Sequence, residues 1–182
     1  ENMVYTVKVM AWTKDGMEPV DDAETGTVSS AGKIAISEDM LSGSRSWEDR
    51  GSVNFYKAAD GDIETYFDGL AKGYVTINLG EPMFIHGIGY APRTGYESRM
   101  NGGEFYGSND NETWTLLYKV SSIPGSGSIT KVGIDDILDS ENAYRYVKYT
   151  VPAGTNQAGE EYLCNVAEIE LYGISAGAAG DR

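Results

Sequence analysis

Residues 74–79 (YVTINL) and 84–91 (FIHGIGYA) are two short apolar runs, rich in β-branched and aromatic side chains, with Gly80, Glu81 and Pro82 between them. Each is too short for a helix that must hold itself together, so both are predicted as strands bounded by turn residues. The same texture extends outward from them. Upstream, residues 33–37 form a short predicted strand, and residues 4–12 (VYTVKVMAW) alternate as a strand that turns at Lys14, Asp15 and Gly16. Downstream, strands are predicted at 103–107, 114–120 (WTLLYKV), 129–134, 144–151 (YRYVKYTV) and 166–172 (VAEIELY). No window carries a sustained, capped helical period, and there is no internal repeat. Many short strands parted by Gly, Asn, Asp and Pro predict an all-β sandwich or barrel. Trp114, at the start of a strand, reads as a core residue.

The 182 residues suffice for one domain with an appendage, large enough to bury a core without staples. Residues 18–32, acidic and rich in Ser, Thr and Gly, read as a connection, so residues 1–30 are set apart as a strand and linker. Residues 31–174 are read as the domain, and residues 175–182, small and polar, as a flexible tail. The 14 Lys and Arg face 28 Asp and Glu, a formal net charge of -14. That balance argues against nucleic acid, whose binding rests on cations that neutralise phosphates, and against anionic lipid surfaces. Neutral ligands and cations remain. Cys164 is the only cysteine, so no intrachain disulfide forms, and with no basic cluster around it a reactive thiolate is not expected. Neither a signal peptide nor an apolar run of membrane-spanning length is legible.

Residues 57–68 (KAADGDIETYFD) concentrate oxygen donors around a glycine: carboxylates, a threonine hydroxyl, and carbonyls that a tight turn can converge. Hard cations such as Ca²⁺ take six to eight such oxygens. Asp-Gly is also a plain turn signal, and the stretch alone supports either reading.

Six segments in order carry a resemblance: Lys57-x-x-Asp60-Gly61-Asp62-x-x-Thr65, YVTINLG, IGYAPR, GGEFYGSNDNETW, YRYVKY and CNVAEIELYG. Together they resemble the discoidin-type fold of the coagulation-factor C domain, close to bacterial family 32 carbohydrate-binding modules and other galactose-binding-like modules. The resemblance covers roughly residues 33–173 and implies a jelly-roll of two antiparallel sheets. It also implies a structural Ca²⁺, held by the carbonyls of Lys57, Asp62, Thr65 and Ala167, the Thr65 hydroxyl, and the carboxylates of Asp60 and Glu168. Such an ion would join segments about a hundred residues apart and restrict the unfolded chain. The stretch YTVKVMAWTKDGMEPV resembles the last strands of immunoglobulin-like or fibronectin-like spacer modules of bacterial secreted enzymes, which implies a multimodular, extracellular parent protein.

The resemblance places a sugar site on the loops at the same end. The family often has a histidine just after the Thr-aromatic-aromatic run; here that position is Asp68, a carboxylate able to accept two sugar hydroxyls. The family arginine after Pro matches Arg93, whose planar fork suits vicinal hydroxyls. Asp68 and Arg93 also read as an ordinary ion pair. Arg99 is a further polar candidate, and Tyr162, Trp47 and Tyr96 are candidate aromatic platforms. Catalysis is not expected: His86, the only histidine, lies in an apolar strand without an evident nucleophile, and one Cys with one His does not make a zinc site. The expected function is therefore non-catalytic, calcium-stabilised binding of galactose-type or related glycans, with weak affinity per site. An adhesive discoidin domain that binds protein or lipid is the alternative.

Overall fold

The computed structural model describes residues 10–13, 16–19, 32–134, 143–152 and 163–179. Two strands, β1 (Met10–Thr13) and β2 (Gly16–Pro19), pair antiparallel with each other as a small separate sheet. The predicted turn between them falls on positions 14 and 15, and the rest of the 1–30 segment also lies outside the described residues.

The domain is built from β3 (Gly32–Lys33), β4 (Leu41–Gly43), β5 (Phe67–Ala71), β6 (Tyr74–Ala91), β7 (Glu104–Ser108) and β8 (Thr115–Lys119). It continues with β9 (Thr130–Gly133), β10 (Ala143–Thr150), β11 (Leu163–Val166) and β12 (Glu168–Ser175), then a single helical turn, α1 (Ala176–Ala179). All strand pairings are antiparallel. The architecture is the all-β, galactose-binding-like sandwich.

The two apolar runs at 74–79 and 84–91 are one continuous strand. β6 runs for 18 residues, with Gly80 taking the left-handed φ of 81° that a side chain would resist. Its first half pairs with β4 and β10, while its second half pairs with β12 and β9. β6 is thus the seam between the two layers. From the first layer Val75, Ile77, Phe105, Val147 and Tyr149 point inward, and from the second Ile88, Tyr90, Ile169 and Leu171 meet them in one core. Aromatic rings cross the gap: Tyr90 lies 5.9 Å from Phe105, which lies 4.8 Å from Tyr149.

Residues 42–54 begin in β4 and coil through the short 3₁₀ turns Trp47–Asp49 and Gly51–Val53. Two expectations are corrected. Residues 34–37 do not continue β3; only one backbone bond follows, from the Ile34 N–H to the Leu171 carbonyl. Trp114 is not a core residue. Its ring lies under the ammonium of Lys148, 3.8 Å from the centroid, on the outer side of the sheet. Among the described residues no helix is long and apolar enough to cross a membrane.

Candidate functional site

β5 and β11 make a short two-stranded sheet at one end of the sandwich, with Asp68 opposite Asn165 and Phe67 opposite Val166. Phe67, Cys164 and Val166 are buried and anchor this pair to the core. The turn 60–66 leads into β5, and Ala167 and Glu168 follow directly on β11. One strand pairing therefore positions both the oxygen-rich turn, a candidate cation loop, and the polar floor of a pocket.

In the cation loop, the 3₁₀ turn Phe55–Ala59 carries Lys57 and ends at Asp60. Gly61 follows with φ 84°. The Asp60 carboxylate accepts from the Asp62 N–H (3.1 Å), the Thr65 hydroxyl (2.8 Å) and the Lys57 ammonium (3.0 Å). The Thr65 hydroxyl also lies 3.0 Å from the Asp62 carbonyl oxygen. Across the gap, the Gly61 N–H donates to Glu168 Oε2 at 3.0 Å. The structure thus gathers Lys57, Asp60, Asp62, Thr65 and Glu168 on adjoining segments, with Ala167 beside them. Glu168 is only 3% exposed, and burial, reinforced by the nearby Asp60 charge, pushes its carboxyl up to about 7. No group of three His, Cys, Asp or Glu side chains placed to hold a metal ion occurs among the described residues. The donor set here has two carboxylates and otherwise neutral oxygens, which fits a hard cation that accepts carbonyls.

The adjoining pocket, of about 350 Å³, is lined by Trp47, Arg50, Val53, Tyr66, Asp68, Arg93, Tyr96, Arg99 and Leu163. It brings together five of the sequence-predicted residues: Trp47, Asp68, Arg93, Tyr96 and Arg99. Tyr162 lies outside the described residues. Arg93 donates to Asp68 at 2.9 Å, and Asn165 Nδ2 donates to the other Asp68 oxygen at 2.9 Å. Arg99 donates to Asn165 Oδ1 at 3.1 Å and stands 3.9 Å from Asp68. The ion pair that the sequence also allowed is therefore present, and it forms part of the pocket wall. The Arg93 guanidinium is stacked between Tyr66 (4.1 Å) and Tyr96 (4.0 Å), which fixes its plane while leaving further N–H donors for a ligand.

Trp47 and Tyr96 form the open rim, 48% and 40% exposed. Trp47 is placed by the bridge between Ser46 and Gly69 of β5, and by the Ser46 hydroxyl donating to the Arg50 carbonyl at 2.9 Å. Tyr66 and Asn165 were not singled out by sequence reasoning. Tyr66 is part of the aromatic run before Asp68, and Asn165 follows from the β5–β11 register, which no local pattern announces.

Neither His86 nor Cys164 is equipped for catalysis. The Nδ1 of His86 is buried without a hydrogen-bond partner, and burial lowers the pKa of the ring. Cys164 is buried and its thiol is pushed well up by desolvation.

Residues 34–169 match the F5/8 type C domain family. Among solved structures, the chain is 33% identical to CBM62 of Clostridium thermocellum Xyl5A, with a TM-score of 0.65 over 80% of this chain and 99% of that one. It is 20% identical to a fucolectin from striped bass (Morone saxatilis) serum, with a TM-score of 0.61 over 74% of this chain and 46% of that one. The family 32 carbohydrate-binding module of C. perfringens NanJ, solved with galactose, is 19% identical, with a TM-score of 0.56 over 77% of this chain and 98% of that one. The last two likenesses concern the fold. A comparison with curated proteins yields no match.

Proposed function

This chain belongs to the F5/8 type C domain family, and on that premise we propose that it is a non-catalytic, calcium-stabilised module that binds galactose-type glycan residues. Its similarity to a carbohydrate-binding module supports glycans as the ligand class. The finer reading rests on one observation: an open pocket with an aromatic rim (Trp47, Tyr96) and a floor of Asp68, Arg93 and Arg99. A pyranose can lay its C–H face on an exposed ring while Asp68 accepts from one hydroxyl and the Arg93 fork donates to its neighbour. An axial and an equatorial hydroxyl on adjacent carbons, as in galactose, offer such a pair to an acceptor and a donor held 2.9 Å apart.

Ca²⁺ is supported by the chemistry of the loop. Two carboxylates approach the same space, and among the described ion pairs Glu168 has no basic partner. Bound there, the cation would tie the 57–65 loop to the 167–168 segment, and with it the start of β5 that presents Asp68. The module would act outside the cell, holding a secreted bacterial multimodular protein on its glycan. Weak single-site binding, with Kd from tens of micromolar to millimolar, is expected of so small a site and becomes useful through linkage to other modules.

The test is calorimetric titration of the calcium-loaded protein with D-galactose, N-acetylgalactosamine and D-glucose, repeated on Arg93→Ala. Binding of the galactose-type sugars by the wild type, lost in the variant, is the expected result. No binding to any glycan, with capture instead by lipid vesicles or a protein, overturns the reading.

A further inference from the structure

The displaced Trp114 leads to a second surface. β10 is flanked by β6 and β7, and its Val147 and Tyr149 face the core. Tyr146, Lys148 and Thr150 alternate to the outer face. There Lys148 stands opposite Tyr106 of β7 and Thr76 of β6, with its ammonium 3.8 Å from the Trp114 ring and 5.6 Å from Tyr106. The irregular register between Tyr144 and Tyr146 brings Arg145 to the same face, where its Nε bonds Asn78 Oδ1 at 3.1 Å and its guanidinium lies 5.3 Å from the Tyr146 ring. Leu116, opposite Tyr106, and Tyr74, opposite Thr150, flank this strip at 50% and 41% exposure.

Charge singles the strip out. Among the described residues every lysine and arginine lies within ion-pair distance of a carboxylate except Lys72, Arg145 and Lys148. In a chain with a net charge of -14, two of these three unneutralised cations sit three residues apart on one sheet face, each against aromatic rings. Burial lowers the Lys148 pKa, with no carboxylate acting to offset it.

We propose that this outer face is a second binding site, separate from the loop-end pocket, for an anionic glycan such as a uronate-bearing chain. Carboxylates of the chain would meet Arg145 and Lys148 as charge-assisted contacts. The C–H faces of its rings would rest on Tyr146 and Tyr106, and Asn78 and Thr150 would meet its hydroxyls. The face is extended and open, which suits a chain over a single sugar. An acidic peptide is the poorer fit: extended peptides bind by adding to a free strand edge, whereas β10 is paired on both sides and offers side chains only. No lining residue is shared with the loop-end pocket, so this inference stands whether or not that pocket binds galactose.

The experiment titrates the full chain with a short oligogalacturonate, a neutral oligogalactan and an oligoglutamate, following the Trp114 indole N–H by NMR. Oligogalacturonate is expected to shift that resonance in the wild type and to bind less well as salt is raised. Lys148→Gln and Arg145→Gln should each weaken it about tenfold, with D-galactose binding and the melting temperature unchanged. The proposal fails if oligogalacturonate leaves the Trp114 resonance unmoved, binds both variants as it binds the wild type, or loses affinity in Arg93→Ala instead. It fails equally if oligoglutamate binds as tightly as the glycan, which would mark a general anion patch. The wild-type Trp114 shift reads the site without a substitution, so a variant that folds poorly does not mask the answer.

Discussion

Replacing Glu168 by Gln separates a cation ligand from a structural carboxylate, because the two roles predict opposite signs. In protein stripped of divalent cations, Glu168 is buried beside Asp60 and its carboxyl is raised from the usual 4.5 to about 7. A carboxyl held above its unfolded value keeps its proton more tightly when folded. Its contribution to stability is therefore full at low pH, fades as pH rises from 4.5 towards 7, and is gone above. The interval is worth about 3 kcal/mol at most, and local relaxation around the buried charge brings it to roughly 1–2 kcal/mol. Gln carries no charge, yet its carbonyl can still accept the Gly61 N–H. In chelator near pH 8 the variant should thus melt above wild type, by roughly 3–6 °C for a domain of this size. Near pH 4 the two should melt together. Millimolar calcium should invert the order: wild type gains about 2.7 kcal/mol at a hundredfold excess over Kd, while the variant, one anion short, gains little. Scanning calorimetry in chelator and in calcium at both pH values reads all four cases. A Gln variant less stable than wild type in chelator at high pH, or one that gains as much from calcium, refutes the reasoning.

Other consequences follow from the same geometry. Trp47→Ala should weaken sugar binding roughly tenfold by titration and leave the melting temperature in place, since the half-exposed indole gives little to the fold. Gly61→Ala meets open space but must adopt φ 84°, so it should cost about 1–2 kcal/mol in urea denaturation and reduce calcium affinity together with stability. Phe105→Ala empties a fully buried position between Tyr90 and Tyr149 and should cost about 3–5 kcal/mol in the same assay.

The strands legible in the sequence are those whose β-branched and aromatic residues recur over five positions or more. β5 was missed because Phe67-Asp-Gly-Leu-Ala reads as a turn, yet Phe67 and Gly69 are buried and the segment pairs with β11. Gly80 and Pro82 suggest a break, whereas the strand runs on through a left-handed Gly80 and changes partners instead. For Trp114, hydrophobicity and a strand start pointed inward; a cation three strands' sequence away, Lys148, supplied an alternative partner on the outside. Trp47, Asp68, Arg93, Tyr96 and Arg99, which line the pocket, and the oxygen donors gathered in residues 57–68 are legible in the sequence. The stacking of Arg93 between Tyr66 and Tyr96, and the bridging by Asn165, depend on register and on loops folding towards one another, which spacing along the chain does not encode.

β12 begins at Glu168, in the cation loop, and ends at Ser175; β3 lies beside its far half, with Lys33 opposite Tyr172. The chain therefore enters the domain at residue 32 and leaves it at residue 175 on neighbouring strands, about 5 Å apart at their pairing. Eight residues of extended backbone put that doorway roughly 25 Å from the pocket end. Segments attached at residues 32 and 175 would therefore meet the domain at one place, and the domain would add almost nothing to the distance between them. The pocket lies at the opposite end, so a ligand bound there would stay clear of that attachment.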